Sequence, residues 1–381
     1  MKKSFNLALT GIALAVSLVA SAQAQGVNSV SGTFNGVDWQ AQSLLTGFSG
    51  TGTSSTAGDA TYLPSYPANG GVVGLLMSYG AAGSFICSGT LMADRQSILT
   101  AGHCVSDGFG TAGPLTTTVF FQPAAGLPVT QTIYNNPAAT AVTVSDIFVN
   151  PGYTGQVIDQ NDIAVLRMST VAPTWATSHG IYTGGDLTGS DFTMAGYGRL
   201  GTGAGTNTTT GRLRTGDNRY DFRFGDPDFG VGYWDGAFDN PALPSAQVAY
   251  SYVSDFDNGL GANDTSCLLA ADADFGLSGP KYCNTGVGVR EVGVAGGDSG
   301  GPNFIGGMVS GVNSYGLSFG TAYGDINTGL NSSFGEFSGY VPTFIHADFI
   351  NASLVPEPST YLMLALGLAG VGFAARRRAA D

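Results

Sequence analysis

The hydrophobic positions of the chain fall into short runs, not into long periodic stretches. Five runs rich in Val, Ile, Phe and Thr are separated by Gly, Pro, Asn and Asp: Val72–Leu76, Ser84–Leu91, Thr117–Phe121, Ala141–Val149 and Ile163–Met168. Short β-branched and aromatic runs at close spacing are typical of strands in a β-barrel or sandwich. The pattern therefore predicts an all-β fold.

Helical spacing of apolar residues occurs near the end of the chain. Phe344, Ile345, Phe349 and Ile350 would share one face of a helix within Tyr340–Ala352, which predicts a closing helix packed on the domain. The stretch 201–211 consists almost entirely of Gly, Thr and Asn. It has no core-forming side chain and predicts an exposed loop.

The first 24 residues have the three parts of a signal peptide: two lysines, an apolar stretch and the small-residue site Ala22-Gln23-Ala24. Cleavage is expected after Ala24, and a cut after Ala22 is the alternative. The apolar stretch is too short for a permanent anchor. The chain is therefore expected to be exported, and its four cysteines to meet an oxidising compartment.

The C-terminal segment begins with Val355–Ser359 (VPEPS), continues through the uncharged apolar run Thr360–Ala375 and ends in three arginines at 376–378. This order resembles the PEP-CTERM sorting signals of Gram-negative bacteria. The resemblance implies a short transmembrane helix, recognition by an exosortase, cleavage near Pro356 to Pro358, and delivery to the cell surface or the extracellular matrix. A simple tail anchor is the alternative, although the run is short of the about 20 residues of a stable span.

Composition adds to this picture by exclusion. Charged residues make up 11% of the chain, against about 25% in an average globular protein. Without the terminal segments, 9 basic and 25 acidic residues remain. A nucleic-acid partner is excluded, because phosphate binding needs clustered Lys and Arg.

Three short segments carry residue types used in nucleophilic catalysis. These are Thr100–Cys104 (TAGHC) with His103, Asn161–Leu166 (NDIAVL) with Asp162, and 296–302 (GGDSGGP) with Ser299. A carboxylate can orient an imidazole, and glycines permit the close approach and the dihedral angles of an oxyanion hole. Each segment also has a structural alternative: a structural histidine, a turn aspartate and a flexible glycine loop. Surface positions are expected for the other two histidines, His179 and His346.

The order of these segments resembles the trypsin-like serine proteases of the chymotrypsin fold. Supporting matches are Ala195–Gly198 (AGYG), Gly311–Gly316 (GVNSYG) and the last strand and helix at Gly339–Ile350. The resemblance runs from about Gly70 to Ala352. It implies an all-β fold of two six-stranded antiparallel β-barrels, with the active site in the cleft between them and a short C-terminal helix.

The resemblance also implies a role for each residue of the site. Ser299 would be the nucleophile, His103 the general base, and Asp162 would hold the tautomer of His103. The backbone N–H groups of Gly297 and Ser299 would form the oxyanion hole. Two disulfide bonds are implied as well, Cys87–Cys104 and Cys267–Cys283, although four cysteines alone allow three pairings.

The chain departs from the family pattern around the substrate pocket. Gly293 stands where a trypsin-type enzyme has the carboxylate that binds Arg or Lys, and Ala295 replaces a family cysteine, so tryptic specificity is not expected. The long interval between Asp162 and Ser299 implies inserted loops around the cleft, at 201–211 and Arg219–Pro244. The pocket that would accept an apolar or small side chain is predicted from Gly293, Val294, Ser314, Tyr315 and Gly316.

Activation also departs from the family pattern. The new N-terminus whose amine pairs with the Asp before the nucleophile has no clear match, so Asp298 needs another partner. Residues 25–70 are either a pro-segment or part of an enzyme that folds in its active form without being cut. The sequence leaves both alternatives open.

No cofactor is expected, and one segment raises the question of a metal. Asp255–Gly259, with Asn263 and Asp264 following, has the oxygen-rich spacing of a weak calcium loop. It lacks the distal Glu of an EF-hand, and a solvated turn is the alternative. Calcium therefore stays an open alternative at this segment.

The sequence as a whole predicts a secreted or surface-sorted serine endopeptidase. We expect a monomer that acts on protein or peptide substrates and meets an exosortase and the secretion machinery during sorting. A catalytically silent protease-fold binding or matrix protein at the cell surface is the alternative. The predicted layout is a signal peptide at 1–24, an N-terminal segment at 25–70, a protease domain at 71–354 and a sorting signal at 355–381.

Overall fold

The computed structural model describes residues 29–34, 37–42, 48–50, 60–108, 113–123, 131–206, 210–272 and 274–354. The predicted signal peptide and sorting signal, with its transmembrane helix, lie outside these ranges. Before the predicted protease domain the chain forms three strands, β1 (Ser29–Phe34), β2 (Val37–Gln42) and β3 (Phe48–Gly50). The first two pair as an antiparallel hairpin.

The next six strands close into a barrel in the order β4-β5-β6-β9-β8-β7. Their bounds are β4 (Val72–Ser78), β5 (Ser84–Leu91), β6 (Ser97–Thr100), β7 (Thr116–Phe121), β8 (Thr140–Val149) and β9 (Ala164–Met168). Apolar side chains such as Val73, Leu75 and Met77 alternate along β4 and are fully buried in the barrel core. The five strands predicted from hydrophobic runs are confirmed to within two residues.

Ten further strands follow in the second half of the chain. They are β10 (Asp191–Gly196), β11 (Gly201–Thr202), β12 (Gly205–Thr206), β13 (Arg214–Arg219), β14 (Phe222–Arg223), β15 (Tyr252–Asp255), β16 (Val292–Val294), β17 (Pro302–Ile305), β18 (Met308–Ser318) and β19 (Phe337–Pro342). Seven of them form one antiparallel sheet in the order β13-β10-β17-β18-β19-β15-β14. This sheet is a half-barrel, so the all-β fold is confirmed with one closed barrel and one open one.

Helices are few and short among the described residues. They are α1 (Thr265–Ala270), α2 (Ala347–Ser353) and the 3-10 turns Ala60–Tyr62, Gly80–Ala82, Gly102–Cys104, Ile133–Asn135, Pro227–Phe229, Thr321–Tyr323 and Phe344–His346. The predicted closing helix is confirmed as α2, which begins later than expected because Tyr340 to Pro342 belong to β19. In the part of the chain that the structure describes, no helix has the length and apolar character needed to cross a membrane.

The two predicted insertions differ from the expected loops. The first forms the β11–β12 hairpin, with Gly203 packed under the ring of Phe334. The second carries a set of buried aromatic side chains in the core of the half-barrel, Phe222, Phe224, Phe229, Trp234 and Phe238. Residues 219–244 therefore extend the core, because burying aromatic area stabilises the fold more than exposing it at a cleft would.

Candidate active site

His103 and Asp162 form a buried pair at the edge of the closed barrel. His103 lies in the turn after β6, and Asp162 precedes β9, which pairs with β6. The carboxylate accepts the backbone N–H of His103 through Oδ1 and the ring Nδ1–H through Oδ2, both at 2.7 Å. Because a carboxylate only accepts, the proton sits on Nδ1 and the lone pair of Nε2 is left to act as a base.

Gly102 makes this approach sterically possible. A Cβ at this position would lie 3.1 Å from Asp162 Oδ1 and 3.1 Å from the ring of Tyr153. A methyl group here would require Asp162 or Tyr153 to shift by a few tenths of an ångström. The glycine that precedes the histidine is therefore part of the geometry of the pair.

A bulge in β18 adds a third donor to Asp162. The pairing of β18 with β19 shifts register between Asn313 and Tyr315, and Ser314 at the shift donates its hydroxyl to Asp162 Oδ2 at 2.5 Å. Bulges often redirect a side chain next to an active site. Ser314 was predicted to line the substrate pocket, whereas its hydroxyl is hydrogen-bonded to the carboxylate of Asp162.

Ser299 lies in a tight glycine turn packed against the same barrel. Gly297 and Gly300 have φ of +101° and +80°, which favours glycine. A Cβ at Gly300 would lie 2.0 Å from Thr100 Oγ1, so the turn fits closely beside the strand that leads to His103. The Ser299 carbonyl accepts the backbone N–H of Ser88 at 2.8 Å and contacts Cys104 Sγ at 3.7 Å.

Ser88 on β5 fixes this turn and was not identified from the sequence. Its hydroxyl donates to the Gly297 carbonyl at 2.7 Å and accepts the backbone N–H of Tyr197 at 2.9 Å. In the sequence, the feature that could have identified Ser88 is its position directly after Cys87, the cysteine implied to bond with Cys104. The backbone N–H of Ser88 also donates to the Ser299 carbonyl. Ser88 therefore connects the Ser299 turn to the barrel that carries His103.

The candidate site is shielded from solvent. The exposed fraction is 5% for His103, 1% for Asp162 and 0% for Ser299. Nε2 of His103 is buried and has no hydrogen-bond partner within the part of the chain that the structure describes. The site therefore presents one basic nitrogen, held by a carboxylate, beside a serine turn with glycine dihedral angles.

Comparison with known families agrees with this geometry. Residues 66–220 match the family model of trypsin. This part of the chain is therefore similar to the trypsin family. Residues 354–378 match the PEP-CTERM protein-sorting motif, which indicates export and sorting towards the cell surface. A search of curated proteins finds no match.

The match to the trypsin family includes His103 and Asp162 and ends before Ser299. The placement of Ser299 therefore depends on its sequence motif and on the contacts of its turn. Both disulfide bonds that the resemblance implies are present. Cys87–Cys104 closes 17 residues around the His103 turn, and Cys267–Cys283 closes 16 beside α1.

The side chains of the predicted pocket residues Val294, Ser314 and Tyr315 are buried in the protein interior. Val294 and Tyr315 are buried in the two cores of the half-barrel, where the Tyr315 hydroxyl contacts Ser251 Oγ at 2.7 Å. Neither side chain lines an open groove, which differs from the prediction. A Cβ at Gly293 would lie 3.3 Å from the Phe256 ring.

Strands from the N-terminal segment pair with both strands that carry predicted pocket residues. Gly316 to Ser318 of β18 pair with Gln42 to Gln40 of β2, and Val292 to Val294 of β16 pair with Gly50 to Phe48 of β3. Trp39 and Ala41 of β2 are buried in the half-barrel core. The edges of β16 and β18 are thus occupied by residues 48–50 and 40–42.

A cavity of about 770 Å³ borders this hairpin. It lies between β1, β2 and the segment after β18, and its lining includes Asp38, Trp39, Ser318, Phe319 and Tyr323. None of the predicted pocket residues contributes to it. Groups bound there would contact β2 directly.

Asp298, which the family pairs with an N-terminal amine, has backbone partners here. Its carboxyl accepts the N–H of Gly198 at 2.9 Å and that of Ala295 at 3.4 Å. Burial without a cation raises its pKa well above the usual range. The turn Ala195–Gly198, matched to the family from sequence, thus supplies the missing partner.

The prediction that His179 and His346 lie at the surface is wrong. His179 is buried against the ring of Phe304, and its Nδ1 contacts the Gly307 carbonyl at 3.0 Å. His346 is buried between Asn150 and Gln160. Burial lowers the pKa of both imidazoles, and neither contacts His103.

Proposed function

We propose that the protein is an exported serine endopeptidase that hydrolyses peptide bonds through an acyl-enzyme. The observation that carries this proposal is the buried His103–Asp162 pair next to the Ser299 turn, in a chain similar to the trypsin family over residues 66–220. The protein would act as a monomer on protein or peptide substrates. Its sorting motif supports the proposal that an exosortase handles it on the way to the cell surface.

In the proposed reaction, Ser299 Oγ attacks the carbonyl carbon of the peptide bond and His103 Nε2 takes its proton. Asp162 keeps the second proton of His103 on Nδ1 and stabilises the imidazolium. His103 then passes the proton to the leaving amine. Water attacks the acyl-enzyme by the same route and releases the acid. The hydrogen bond between nucleophile and base is often long before substrate binds.

Charge on the carbonyl oxygen would be stabilised by backbone N–H groups of Gly297 and Ser299. The positive φ of Gly297 supports this role, because glycine readily adopts the unusual backbone conformation that an oxyanion hole requires. Removing one such donor typically slows catalysis by about 10²–10³. Gly293 beside Phe256 supports a preference for apolar or small side chains over Arg and Lys.

Residues 25–70 are proposed to act as a pro-segment. This choice between the alternatives left open by the sequence is supported by β2 and β3, which occupy the edges of the strands that carry predicted pocket residues. A substrate that adds a strand to the same edge would have to replace them. The complete burial of Ser299 agrees with a covered site.

The test is labelling of the exported protein with a fluorophosphonate probe, before and after limited proteolysis of the N-terminal segment. We expect labelling at Ser299 that increases after the cut, and hydrolysis of peptides by the cut form. Ser299→Ala should abolish labelling, and His103→Ala should reduce the rate by a factor on the order of 10⁶. Mass spectrometry of the labelled peptide and of the N-terminus locates both sites.

Ser332→Ala is a matched control, since Ser332 lies in a loop and does not contact the candidate site. It should label like the unaltered protein. A folded protein that never labels, even after the N-terminal segment is removed, would refute the endopeptidase. That result would favour the alternative of a catalytically silent binding or matrix protein.

A further inference from the structure

Five carboxylate side chains lie buried together in the half-barrel. They come from distant parts of the chain: the turn after β13, the end of β15, the segment before α1 and the residue before β16. Their exposed fractions are only 1–3%. The members of this acidic cluster are Asp221, Asp255, Asp257, Asp264 and Glu291.

Four members of the acidic cluster are held in place by N–H donors. The donors are Asp255 N and Asn284 Nδ2 for Asp221, Ser266 N for Asp255, Cys267 N for Asp264, and Asp257 N and Val287 N for Glu291. The distances lie between 2.5 and 3.1 Å. These bonds orient the carboxylates without neutralising their charge.

Asp257 has no such donor. It is 2% exposed, and no N–H or hydroxyl group of the described residues donates to either carboxylate oxygen, whose nearest polar neighbour is the carboxyl of Asp255. One of its oxygens, one of Asp255 and one of Asp264 all lie within 4.8 Å of one another. A buried carboxylate without donor or cation is strongly unfavourable, so this side chain points to a positively charged ligand among the three oxygens.

Arg219 is close enough to Asp221 to lower the pKa of that carboxyl, but none of the described Lys or Arg side chains forms an ion pair with Asp255, Asp257 or Asp264. The guanidinium of Arg219 is bonded to Asp191 at 2.6 Å, outside the cluster. As it stands, the cluster holds more negative charge than the interior stabilises.

We propose that the acidic cluster binds one calcium ion through Asp255, Asp257 and Asp264. All candidate ligands are oxygens, which suits a hard cation and not zinc or copper. Calcium binds oxygen at 2.3–2.6 Å, so two ligands of one ion lie at most about 5 Å apart, in agreement with the 4.8 Å limit of the cluster. Magnesium requires shorter distances and a more regular shell, which carboxylates from separate segments satisfy less well.

This site keeps the three aspartates of the calcium segment considered from the sequence but not its two asparagines. Asn258 and Asn263 bond to each other at 2.8 Å, and Asn263 also bonds to the Gly324 carbonyl, so neither amide is directed to the carboxylates. Instead, Asp221 and Glu291 join Asp257 from far away in the chain. Glu291 directly precedes β16, so a bound ion would brace the strand that carries Gly293 and Val294.

The experiment uses the exported protein with Ser299→Ala, which prevents self-cleavage. After dialysis against EDTA, calcium chloride or magnesium chloride is titrated in, and binding is measured by calorimetry together with the thermal midpoint of unfolding. We expect one calcium per chain and a rise of about 5 °C or more at calcium a hundredfold above its Kd. Magnesium should bind at least tenfold more weakly.

Asp257→Asn should abolish the calcium-induced rise. In EDTA this variant should be at least as stable as the parent, because one uncompensated charge is gone; a merely structural Asp257 would give a destabilised variant instead. Glu291→Gln is the second variant and should weaken calcium binding at least tenfold. Exposed Asp235→Asn is the matched control and should change nothing. Absence of calcium binding to the parent, or an unchanged rise in Asp257→Asn, would overturn the proposal.

Discussion

At the scale of single residues, the two halves of the site meet on Asp162. Its carboxylate accepts donors from the histidine turn of the closed barrel and from Ser314 of the half-barrel. Three donors on one buried carboxylate fix its orientation, and with it the tautomer of His103. The hydroxyl of Ser314 is therefore a positioning group for the base.

Ser314→Ala removes one of these three donors. We expect kcat to fall about tenfold to a hundredfold with little change in KM, because a hydrogen bond to a charged group is lost away from the substrate. Steady-state kinetics on a peptide substrate of the activated protein provides the measurement. Exposed Ser145→Ala serves as the control, and a variant with normal kcat would show that Ser314 does not position Asp162.

Asp298→Asn tests the state of the second buried carboxyl. Burial raises the pKa of Asp298 well above its usual range, which favours the neutral carboxyl, and an amide is a close replacement for that form. The free energy of unfolding in urea should change by less than about 1 kcal/mol. If an N-terminal ammonium paired with Asp298, the variant would lose several kcal/mol of stability and most of its activity.

The residues that the sequence could predict are those with motif neighbours in the chain. His103, Asp162 and Ser299 each stand in a short segment of recognisable order, so their candidate roles could be proposed early. Ser88 could not, because its partner Gly297 is 209 positions away and no local pattern indicates the contact. The buried positions of His179 and His346 were missed for the same reason.

At the scale of elements, β2 connects the N-terminal segment to the half-barrel. Its backbone pairs with β18, and Trp39 packs edge-on against Phe238 with ring centroids 5.2 Å apart. The indole N–H of Trp39 has no hydrogen-bond partner among the described residues, which weakens the attachment. Besides its short backbone pairing with β18, β2 is held by the packing of Trp39 and Ala41, so removal of the Trp39 ring should favour displacement of the strand.

Trp39→Ala should therefore release the strand. Removal of a buried Trp typically costs about 3–5 kcal/mol, and we expect kcat/KM for peptide substrates of the uncut protein to rise at least tenfold. Gln40→Ala, on the exposed face of the same strand, is the control and should leave kcat/KM unchanged. Unfolding by circular dichroism is measured in parallel. A folded Trp39→Ala protein with unchanged kcat/KM would argue against a covering role for β2.

Strands of the closed barrel were predictable because each buries one apolar face and therefore alternates in sequence. The insertion 219–244 was not, since its aromatic residues are spread among Gly, Asp and Pro without a period. Only the packed structure shows that they fill the half-barrel. Tyr315 was placed in the pocket for a similar reason: its neighbours matched a motif, while its ring enters the core.

At the scale of the whole molecule, hydrogen bonds from His346 attach the last described helix to the segment between β8 and β9 of the closed barrel. His346, just before α2, donates through Nε2 to the Gln160 carbonyl at 2.7 Å and accepts from Asn150 Nδ2 through Nδ1 at 3.0 Å. Both bonds need a neutral imidazole. Protonation would set a second N–H against the amide of Asn150.

The stability of the molecule should accordingly depend on pH through His346. Its pKa is lowered on folding by burial, so its contribution is present above about pH 6.5, the unfolded value, and is lost as the pH falls through the folded value. Between pH 7 and 5 the unaltered protein should lose more stability than His346→Gln, which keeps one donor and one acceptor. Urea unfolding at both pH values measures the difference, and parallel losses would contradict the assignment.

The Cys87–Cys104 bond has a consequence for the cell that makes the protein. It joins β5, which holds the Ser299 turn through Ser88, to the turn of His103. Thiols stay reduced in the cytoplasm, so this link forms only after export. If the protein cleaves peptide bonds as proposed, its host would be protected from self-digestion, because the covalent link between the His103 turn and the strand that holds the Ser299 turn would be absent where its own proteins are made.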